Sequence, residues 1–382
     1  MNPERRIDAL TGLRPFASLY VFFFHFGRPL LTTAPRWLRA LGGSGFVGVS
    51  FFYVLSGFVL ALSYGPRIID RNSSFDHRRF LVRRIARLMP AYFAALLLLL
   101  PLVLRHDSNV VASPLGGILQ LVFMQAWWPP LALTWNLPAW SISIEVAFYL
   151  VLPSLIRAIA GLSAPQRRWL LPAIWALALV VAGVYSAIAP DGIVGPDSNA
   201  FYLGFLKFWP PARLPELAFG VTLGLAFTPA RAAKTAPWLG PLALAVAATT
   251  LSLSDRLPFA LVHNALLLPC FGAIVWSAAG ARGIVGRILG SRPLTRLGRA
   301  SYDIYILQMP LMYLVLAAAL PLGGLRFVVV FGLLVYGVGL MFHLTIERPA
   351  QRWIDRVLSG RRGARGLPMR AANARVSSDI AA

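Results

Sequence analysis

Two ionisable residues interrupt the first long apolar stretch of the chain. Arg14 and His25 stand eleven residues apart in a segment that is otherwise almost wholly apolar. At about 100° and about 1.5 Å per residue, this separation makes about three helical turns, so both side chains leave a helix on nearly one face. His25 would lie roughly 16 Å deeper in a membrane than Arg14. Ionisable groups at such depth indicate function, whereas the alternative is an interfacial anchor and a hydrogen-bonded core histidine.

A second group of cations stands where the third apolar stretch begins. Arg83 and Arg87 share one helix face, and Arg84 lies beside them. Ordinary anchoring of a membrane helix explains the two arginines that precede them, but these three advance into the apolar region. Together with Arg14 at the same depth, they would form a site for a phosphate-bearing cytoplasmic molecule.

Glu145 is an acidic residue within the fourth apolar stretch. It stands about seven residues below the expected outer surface, and so does His25 on a helix that runs the other way, which gives both a depth of about 10 Å. A carboxylate at this depth could pair with His25, fix its tautomer and raise its basicity. The alternative is that Glu145 supports a buried hydroxyl or arginine. Depth alone leaves both interpretations open.

The elements that must hold these residues are membrane helices. The chain has 382 residues, of which 58% are hydrophobic and 13% charged, and its mean hydropathy is +0.68. Apolar runs near 20 residues recur along it, which is typical of an all-α polytopic membrane protein. We predict about ten transmembrane helices, near residues 12–32, 44–64, 85–104, 138–157, 170–189, 213–228, 237–253, 258–280, 300–320 and 326–346.

The basic residues orient the predicted helices. The net charge of +22 could suit a nucleic acid, but the cations stand in short gaps between apolar runs, which indicates membrane loops and no nucleic-acid partner. With a cytoplasmic N-terminus, 27 of the 36 lysines and arginines fall inside and eight outside. This bias requires that residues 115–128 form a re-entrant or interfacial segment instead of a crossing. Both termini are then cytoplasmic.

The predicted organisation is one transmembrane domain over residues 1–353. The basic tail, residues 354–382, is expected to be disordered or to lie on anionic lipid. No spacing of histidines, cysteines or carboxylates indicates a metal site, so we predict none.

Six motifs, in order, resemble the acyltransferase-3 family of integral-membrane acyltransferases, best known as O-acetyltransferases of bacterial surface glycans. The resemblance covers nearly all of residues 7–353. The motifs are Arg14 with ten residues before His25; Gly48 to Phe58; Arg83-Arg84 with Arg87 and Pro90; Trp140-Ser141 with Glu145 and Phe148-Tyr149; Ser301-Tyr302 with Tyr305; and Glu347 with Pro349.

The resemblance implies an acyl-CoA co-substrate, usually acetyl-CoA, that enters from the cytoplasm of a bacterium. The acyl group would pass to a hydroxyl of a glycan or lipid-linked acceptor at or beyond the outer half of the inner membrane. The family's essential arginine and histidine correspond to Arg14 and His25, and its arginine motif to the cluster at residues 83–87. The supporting residues are then Trp140, Ser141, Tyr149, Ser301, Tyr302, Tyr305 and Glu347. The chain departs from the family at Ser50, where an aspartate is common, and at Gln308, where a histidine is expected.

Residues and resemblance suggest the same chemistry. An alcohol that attacks a thioester must lose its proton, and His25 is the expected general base, with Glu145 as its assistant. A transient acyl-histidine is the alternative route. A different class of function is a membrane transporter or flippase of a glycan or lipid precursor, which would predict broken helices in matching halves of the chain. The sequence leaves acceptor, acyl length and oligomeric state open.

Overall fold

Helices account for the regular structure of this chain. The computed structural model describes residues 8–70, 72, 75–105, 110–318 and 323–360. Every regular element in these ranges is helical, which confirms the all-α class. Six helical segments are long and apolar enough to cross a membrane, so the predicted count of ten is not confirmed. These six are Val47–Ile69, His77–Leu104, Leu137–Gly161, Ala164–Ile188, Phe259–Gly280 and Gly324–Val357.

The α-helices are numbered here in chain order, after a helical turn at residues 8–11. They are α1 (Arg14–Phe26), α2 (Arg36–Gly42), α3 (Val47–Ile69), α4 (His77–Leu104), α5 (Pro114–Leu121), α6 (Trp140–Gly161), α7 (Ala164–Ile188), α8 (Phe201–Phe208), α9 (Pro210–Ala226), α10 (Pro229–Ala233), α11 (Leu239–Ser252), α12 (Phe259–Asn264), α13 (Leu268–Gly280), α14 (Gly283–Leu289), α15 (Arg292–Ala317), α16 (Gly324–Phe342) and α17 (Arg348–Gly360).

Helices at the other four predicted positions are shorter or more polar than a typical span. The helix α1 has 13 residues and continues as a 3₁₀ turn, while α9 and α11 have 17 and 14 residues. The helix α15 has 26 residues, but its first half carries three arginines and an aspartate. Length and composition alone therefore do not identify these four as spans.

The segment between α4 and α6 doubles back instead of forming one long helix. It contains the eight-residue α5, which Ser113 caps by accepting a hydrogen bond from the Gly116 N–H, and three short 3₁₀ turns. The backbone N–H of Trp135 donates to the carbonyl of Val111 at 2.9 Å, which brings the two ends of the segment together. Eight residues are too few for one helix to cross a bilayer, and residues 115–128 are not part of the six candidate spans.

Glycines allow α3 and α9 to pack against each other at close range. A Cβ atom on Gly220 would lie 2.1 Å from the backbone oxygen of Val54, and one on Gly57 would lie 2.4 Å from that of Leu217. Small residues of this kind let two membrane helices bring their backbones together. This pair fixes the position of α3, which lines three of the four cavities described below.

The last helices form one continuous rod with an irregular turn. A π-helical turn, His343–Glu347, joins α16 to α17. The helix α17 reaches Gly360, so it extends seven residues into the tail predicted from residue 354, and residues 361–382 lie outside the described ranges. An ion pair of 2.8 Å between Arg83 and Asp355 ties α17 to α4.

Candidate active site

Arg14 lies inside the helix bundle, where three helices meet. Its Nε donates to the hydroxyl of Ser301 on α15 at 3.0 Å, and its guanidinium lies 5.5 Å from the centre of the Phe52 ring on α3. Ser301 in turn donates to the carbonyl of Gly298. The Pro15 ring at the start of α1 fixes the backbone for helix entry, which places Arg14 at the first turn.

Three of the four predicted binding arginines line one small cavity. Arg14, Arg84 and Arg87 converge on a space of about 60 Å³ that Glu145 and Tyr149 also line. The Arg84 guanidinium lies over the rings of Tyr64 and Tyr149, 5.0 and 6.0 Å from their centres. These arginines offer several donors in one place, which suits a phosphate or another compact anion. We call this space the inner cavity.

Arg83 does not belong to the inner cavity. It pairs with Asp355 on α17 and does not line that space. The sequence predicted one cluster of three from the spacing on α4. Arg83 and Arg87 share a helix face, but Arg83 lies one turn nearer the start of α4, beside Asp355, whereas Arg87 lies near Glu347. The structure therefore divides the three arginines between two surroundings.

Glu145 lies with Arg14 and does not pair with His25. Its carboxylate accepts a hydrogen bond from the Tyr149 hydroxyl, and it lines the same two cavities as Arg14. No hydrogen bond or ion pair joins it to His25, both being described residues. Of the two interpretations that the sequence left open, the contact with Tyr149 and the cavities shared with Arg14 favour a support for a buried hydroxyl or arginine.

His25 lies at the other end of α1, between two larger cavities. One is a closed-in chamber of about 190 Å³ that Trp140, Lys207 and His263 also line; we call it the outer chamber. The other is an open vestibule of about 830 Å³. Within the described part of the chain, His25 makes no hydrogen bond. Neither of its ring nitrogens is fully buried. Its imidazole is thus accessible from both spaces.

A middle cavity lies between the inner cavity and the outer chamber. This space of about 60 Å³ is lined by Arg14, Glu145 and Ser301, and it shares Val49 and Tyr305 with the outer chamber. Both Arg14 and His25 therefore face a series of internal cavities, as their eleven-residue spacing predicts. The series runs from the arginines of the inner cavity to the vestibule.

The vestibule carries ion pairs on its rim. Arg28 donates to both carboxylate oxygens of Asp197 at 2.7 and 2.6 Å, and this bond holds the pKa of Asp197 below its ordinary value. Arg36 binds Asp255 and lowers the pKa of that carboxyl in the same way. Arg39 also lines the space and donates to the carbonyl of Thr32 at 3.2 Å. Paired arginines and carboxylates of this kind can donate to and accept from hydroxyl groups.

Several predicted supporting residues hold the walls of these cavities. Ser141 and Tyr305 both donate to the carbonyl of Pro138, at 3.0 and 3.3 Å, and Tyr302 donates to that of Leu88 at 2.7 Å. Trp140 packs edge-on against Phe208. Gln308 lines none of these cavities, and its Nε2 is buried without a hydrogen-bond partner.

Glu347 belongs to a buried cluster that the sequence did not reveal. His343 Nδ1 lies 2.5 Å from Glu347 Oε2 and 3.2 Å from Asp303 Oδ2. The other oxygen of Glu347 lies 3.6 Å from Arg87 Nε and accepts from Gln351 at 2.5 Å. The ligand atoms of Asp303, His343 and Glu347 lie within 4.8 Å of one another, the distance at which three groups could hold a metal ion. The same carboxylate also contacts Arg87, and so helps to hold this arginine of the inner cavity in place.

A second buried network lies behind the outer chamber. Arg213 is fully buried and contacts Ser50, Glu216 and His263. Sequence reasoning did not find this network. The one available signal was the three-residue spacing of Arg213 and Glu216, which puts opposite charges on one helix face.

Comparison with known proteins gives these residues a context. A family model described as an acyltransferase domain matches residues 7–346. The chain is 29% identical over 320 residues to the acyltransferase MdmB of Streptomyces mycarofaciens, which covers 79% of this chain and 78% of the relative. It is 23% identical over 347 residues to the peptidoglycan O-acetyltransferase OatA of Listeria monocytogenes, with 81% of this chain and 50% of the relative covered. No solved structure matches the chain.

Proposed function

This chain belongs to the acyltransferase-3 family, and from that premise we propose that it transfers an acetyl group from acetyl-CoA to a hydroxyl of a cell-surface glycan or lipid-linked sugar. The relatives are acyltransferases, and some are named for peptidoglycan O-acetylation. A transferase of this class acting on a glycan at a membrane is therefore the coarse assignment. The donor, the side of entry and the residue roles are the finer part of the proposal.

The observation that carries the finer proposal is the series of cavities along α1. At one end, Arg14, Arg84 and Arg87 would bind the phosphates of CoA by charge-assisted hydrogen bonds. At the other end, His25 has free ring nitrogens and faces both a closed-in chamber and an open vestibule. A donor held at the arginines and an acceptor held in the vestibule would meet at this imidazole.

His25 acts in this proposal as the general base. It takes the proton of the acceptor hydroxyl as the oxygen attacks the thioester carbonyl, and the apolar bundle keeps competing water away from the thioester. The inner and middle cavities hold about 60 Å³ each, so the acyl chain and pantetheine arm must displace side chains to reach His25. Arg14 and the motif arginines are assigned to the cytoplasmic side, with both termini on that side and the protein in the bacterial inner membrane.

The test uses membrane vesicles from a deletion strain that expresses each variant. Radiolabelled acetyl-CoA is added to inside-out and right-side-out vesicles, and base-labile acetate is measured in the vesicle's own glycans and lipids. We expect label only in inside-out vesicles, and none above background with His25→Ala at an equal amount of folded protein. His77→Ala, at the exposed start of α4, is the matched control and should retain activity.

Two results would contradict this proposal. Near-normal labelling by His25→Ala would reject His25 as the general base. Absence of acetyl-CoA-dependent label from the wild type would reject acetyl-CoA as the donor. The second result, together with movement of an unmodified glycan precursor across the vesicle membrane, would favour the transporter alternative.

A further inference from the structure

A second imidazole faces the outer chamber. His263, on α12, lines this space together with His25 and is 5% exposed. Its ring stacks on that of Phe46, with centroids 5.3 Å apart and planes 16° apart. The chamber of about 190 Å³ has room for several water molecules. The two imidazoles therefore line one space that is large enough for a small reacting group.

Buried polar groups hold His263 in a fixed orientation. The Nη1 of Arg213 lies 2.9 Å from His263 Nδ1, and its Nη2 donates to Ser50 at 2.9 Å. The Ser50 hydroxyl then donates to the backbone carbonyl of His263 at 3.3 Å. Glu216 lies 3.0 Å from the Arg213 guanidinium and balances its charge. The ring is thus held through both its side chain and its backbone.

The Arg213 contact determines which ring nitrogen carries the proton. Asn264 Oδ1 also lies 2.8 Å from His263 Nδ1, so a donor and an acceptor compete for the same atom. A guanidinium can only donate, and its charge-assisted bond is about twice as strong as a neutral one. The Arg213 bond therefore prevails, Nδ1 accepts, and the proton of the neutral ring is on Nε2.

The Nε2 atom is the one that remains available. Among the described residues it has no hydrogen-bond partner, and it is not one of the atoms sealed inside the protein. A polar N–H that is fixed from behind and open to an internal chamber resembles the preorganised donors that stabilise oxyanions.

We propose that His263 is a catalytic hydrogen-bond donor, whose Nε2–H stabilises the oxyanion formed when the thioester is attacked in the outer chamber. This inference rests on the proposed acetyl transfer. The acceptor oxygen bonds to the carbonyl carbon, its proton passes to His25, and the carbonyl π electrons move to the oxygen that His263 binds. Re-formation of the C=O bond breaks the C–S bond, and the proton on His25 goes to the CoA thiolate. The products are the acyl ester and free CoA, while His263 keeps its proton throughout.

The experiment compares His263→Leu with His263→Gln in inside-out vesicles that receive labelled acetyl-CoA. Loss of one such donor lowers kcat by about a hundredfold to a thousandfold. We expect this loss for His263→Leu with the KM for acetyl-CoA within about threefold of wild type. His263→Gln carries an amide N–H and should regain at least about tenfold. The transfer rate of His263→Gln should also decrease at acid pH as the wild-type rate does, because His263 is not the base.

A second variant tests the tautomer without removing the ring. Asn264→Asp places a carboxylate beside Nδ1, which draws the proton there and leaves Nε2 as an acceptor. We expect kcat to fall at least about tenfold at unchanged KM, even if His263→Leu proves unstable. His77→Leu is the control for replacing a histidine and should be unaffected.

The outcomes separate this inference from the function on which it rests. Suppose that the wild type transfers acetyl groups and that the rates of His263→Leu and Asn264→Asp both lie within about threefold of the wild-type rate. This result would overturn the role of His263 and leave the acetyltransferase proposal intact. Equal loss in His263→Leu and His263→Gln, with a raised KM, would assign His263 a structural role only. No transfer by the wild type would instead refute the proposed function.

Discussion

Glu145 and Arg14 line the same two cavities, from helices far apart in the sequence. The carboxylate accepts from Tyr149 in the next turn of α6, and the guanidinium donates to Ser301. Glu145 therefore places a negative charge among the three arginines of the inner cavity, and Glu347 places a second one beside Arg87. We propose that Glu145 orders these arginines and has no direct effect on the basicity of His25.

Glu145→Gln should raise the KM for acetyl-CoA about tenfold. The decrease of the transfer rate at acid pH should stay unchanged. Without the carboxylate, Arg14, Arg84 and Arg87 repel one another and lose their arrangement, at a cost of about 1.4 kcal/mol for each tenfold loss. Initial rates in inside-out vesicles across acetyl-CoA concentration and pH measure both quantities. A changed pH profile at constant KM would instead show that Glu145 assists His25, the general base.

The three neighbouring arginines of α4 should respond unequally to glutamine. Arg87→Gln should raise the KM for acetyl-CoA about tenfold to a hundredfold, because a hydrogen bond to a charged group contributes about 1.5–3 kcal/mol. Arg84→Gln should behave similarly, since both arginines line the inner cavity. Arg83→Gln is the matched control and should change KM by no more than about threefold, because Arg83 pairs with Asp355. Three equal effects would reject the inner cavity as the phosphate site.

His343→Leu should destabilise the fold by about 3–5 kcal/mol. It removes the donor between two buried carboxylates, Asp303 and Glu347, and so leaves uncompensated buried charge. Thermal unfolding of the purified protein in detergent measures the loss, and His77→Leu at an exposed site should leave the melting temperature unchanged. A melting temperature equal to the wild type's would mean that the cluster does not hold α15 and α16 together.

Excess EDTA should leave both melting temperature and transfer activity unchanged. We expect the Asp303, His343 and Glu347 cluster to be charge-balanced by Arg87 and the imidazole, which leaves no need for a divalent cation. A lower melting temperature after chelation that Zn²⁺ or Mn²⁺ restores would instead identify these three side chains as metal ligands, consistent with their 4.8 Å spacing.

Gly220→Ala should destabilise the protein by about 1–3 kcal/mol, the cost of overpacking a tight interface. The added methyl would lie 2.1 Å from a backbone oxygen of α3, which cannot move aside as a side chain can. Gly183→Ala is the matched control, because nothing lies within 4 Å of its added methyl. That control should be neutral or slightly stabilising. Equal melting temperatures for the two variants would show that α3 and α9 pack less closely.

Asp197→Asn should weaken the rim of the vestibule in a pH-dependent way. Arg28 lowers the pKa of Asp197 in the folded state, so the contribution is present above the unfolded value of about 3.9 and is lost as the pH falls through the lowered value. The pair is largely exposed, which limits the effect to about 0.5 kcal/mol at pH 7. In thermal unfolding, the difference between variant and wild type should be largest at pH 7 and should shrink as the pH falls below about 3.9. A difference that does not change with pH would mean that the pair is not formed.

The sequence predicted positions along the chain better than neighbours across it. Apolar runs located a helix at each expected position, and the spacing of Arg14 and His25 correctly put both on an interior face. The sequence left the partner of Glu145 open, because depth along a helix does not say which way a side chain points around its axis. The contacts of Asp303 with His343 and of Arg213 with His263 depend on how separate helices rotate and cross, and one sequence does not record that.

The small inner and middle cavities limit what the resting bundle can hold. Each has a volume of about 60 Å³, whereas a pocket for a drug-sized ligand has about 300–1,000 Å³. The coenzyme arm that the proposed reaction requires therefore does not fit into the bundle as it stands. The helices around these two spaces must move apart as the donor enters, so that donor binding and a change in helix packing are one event.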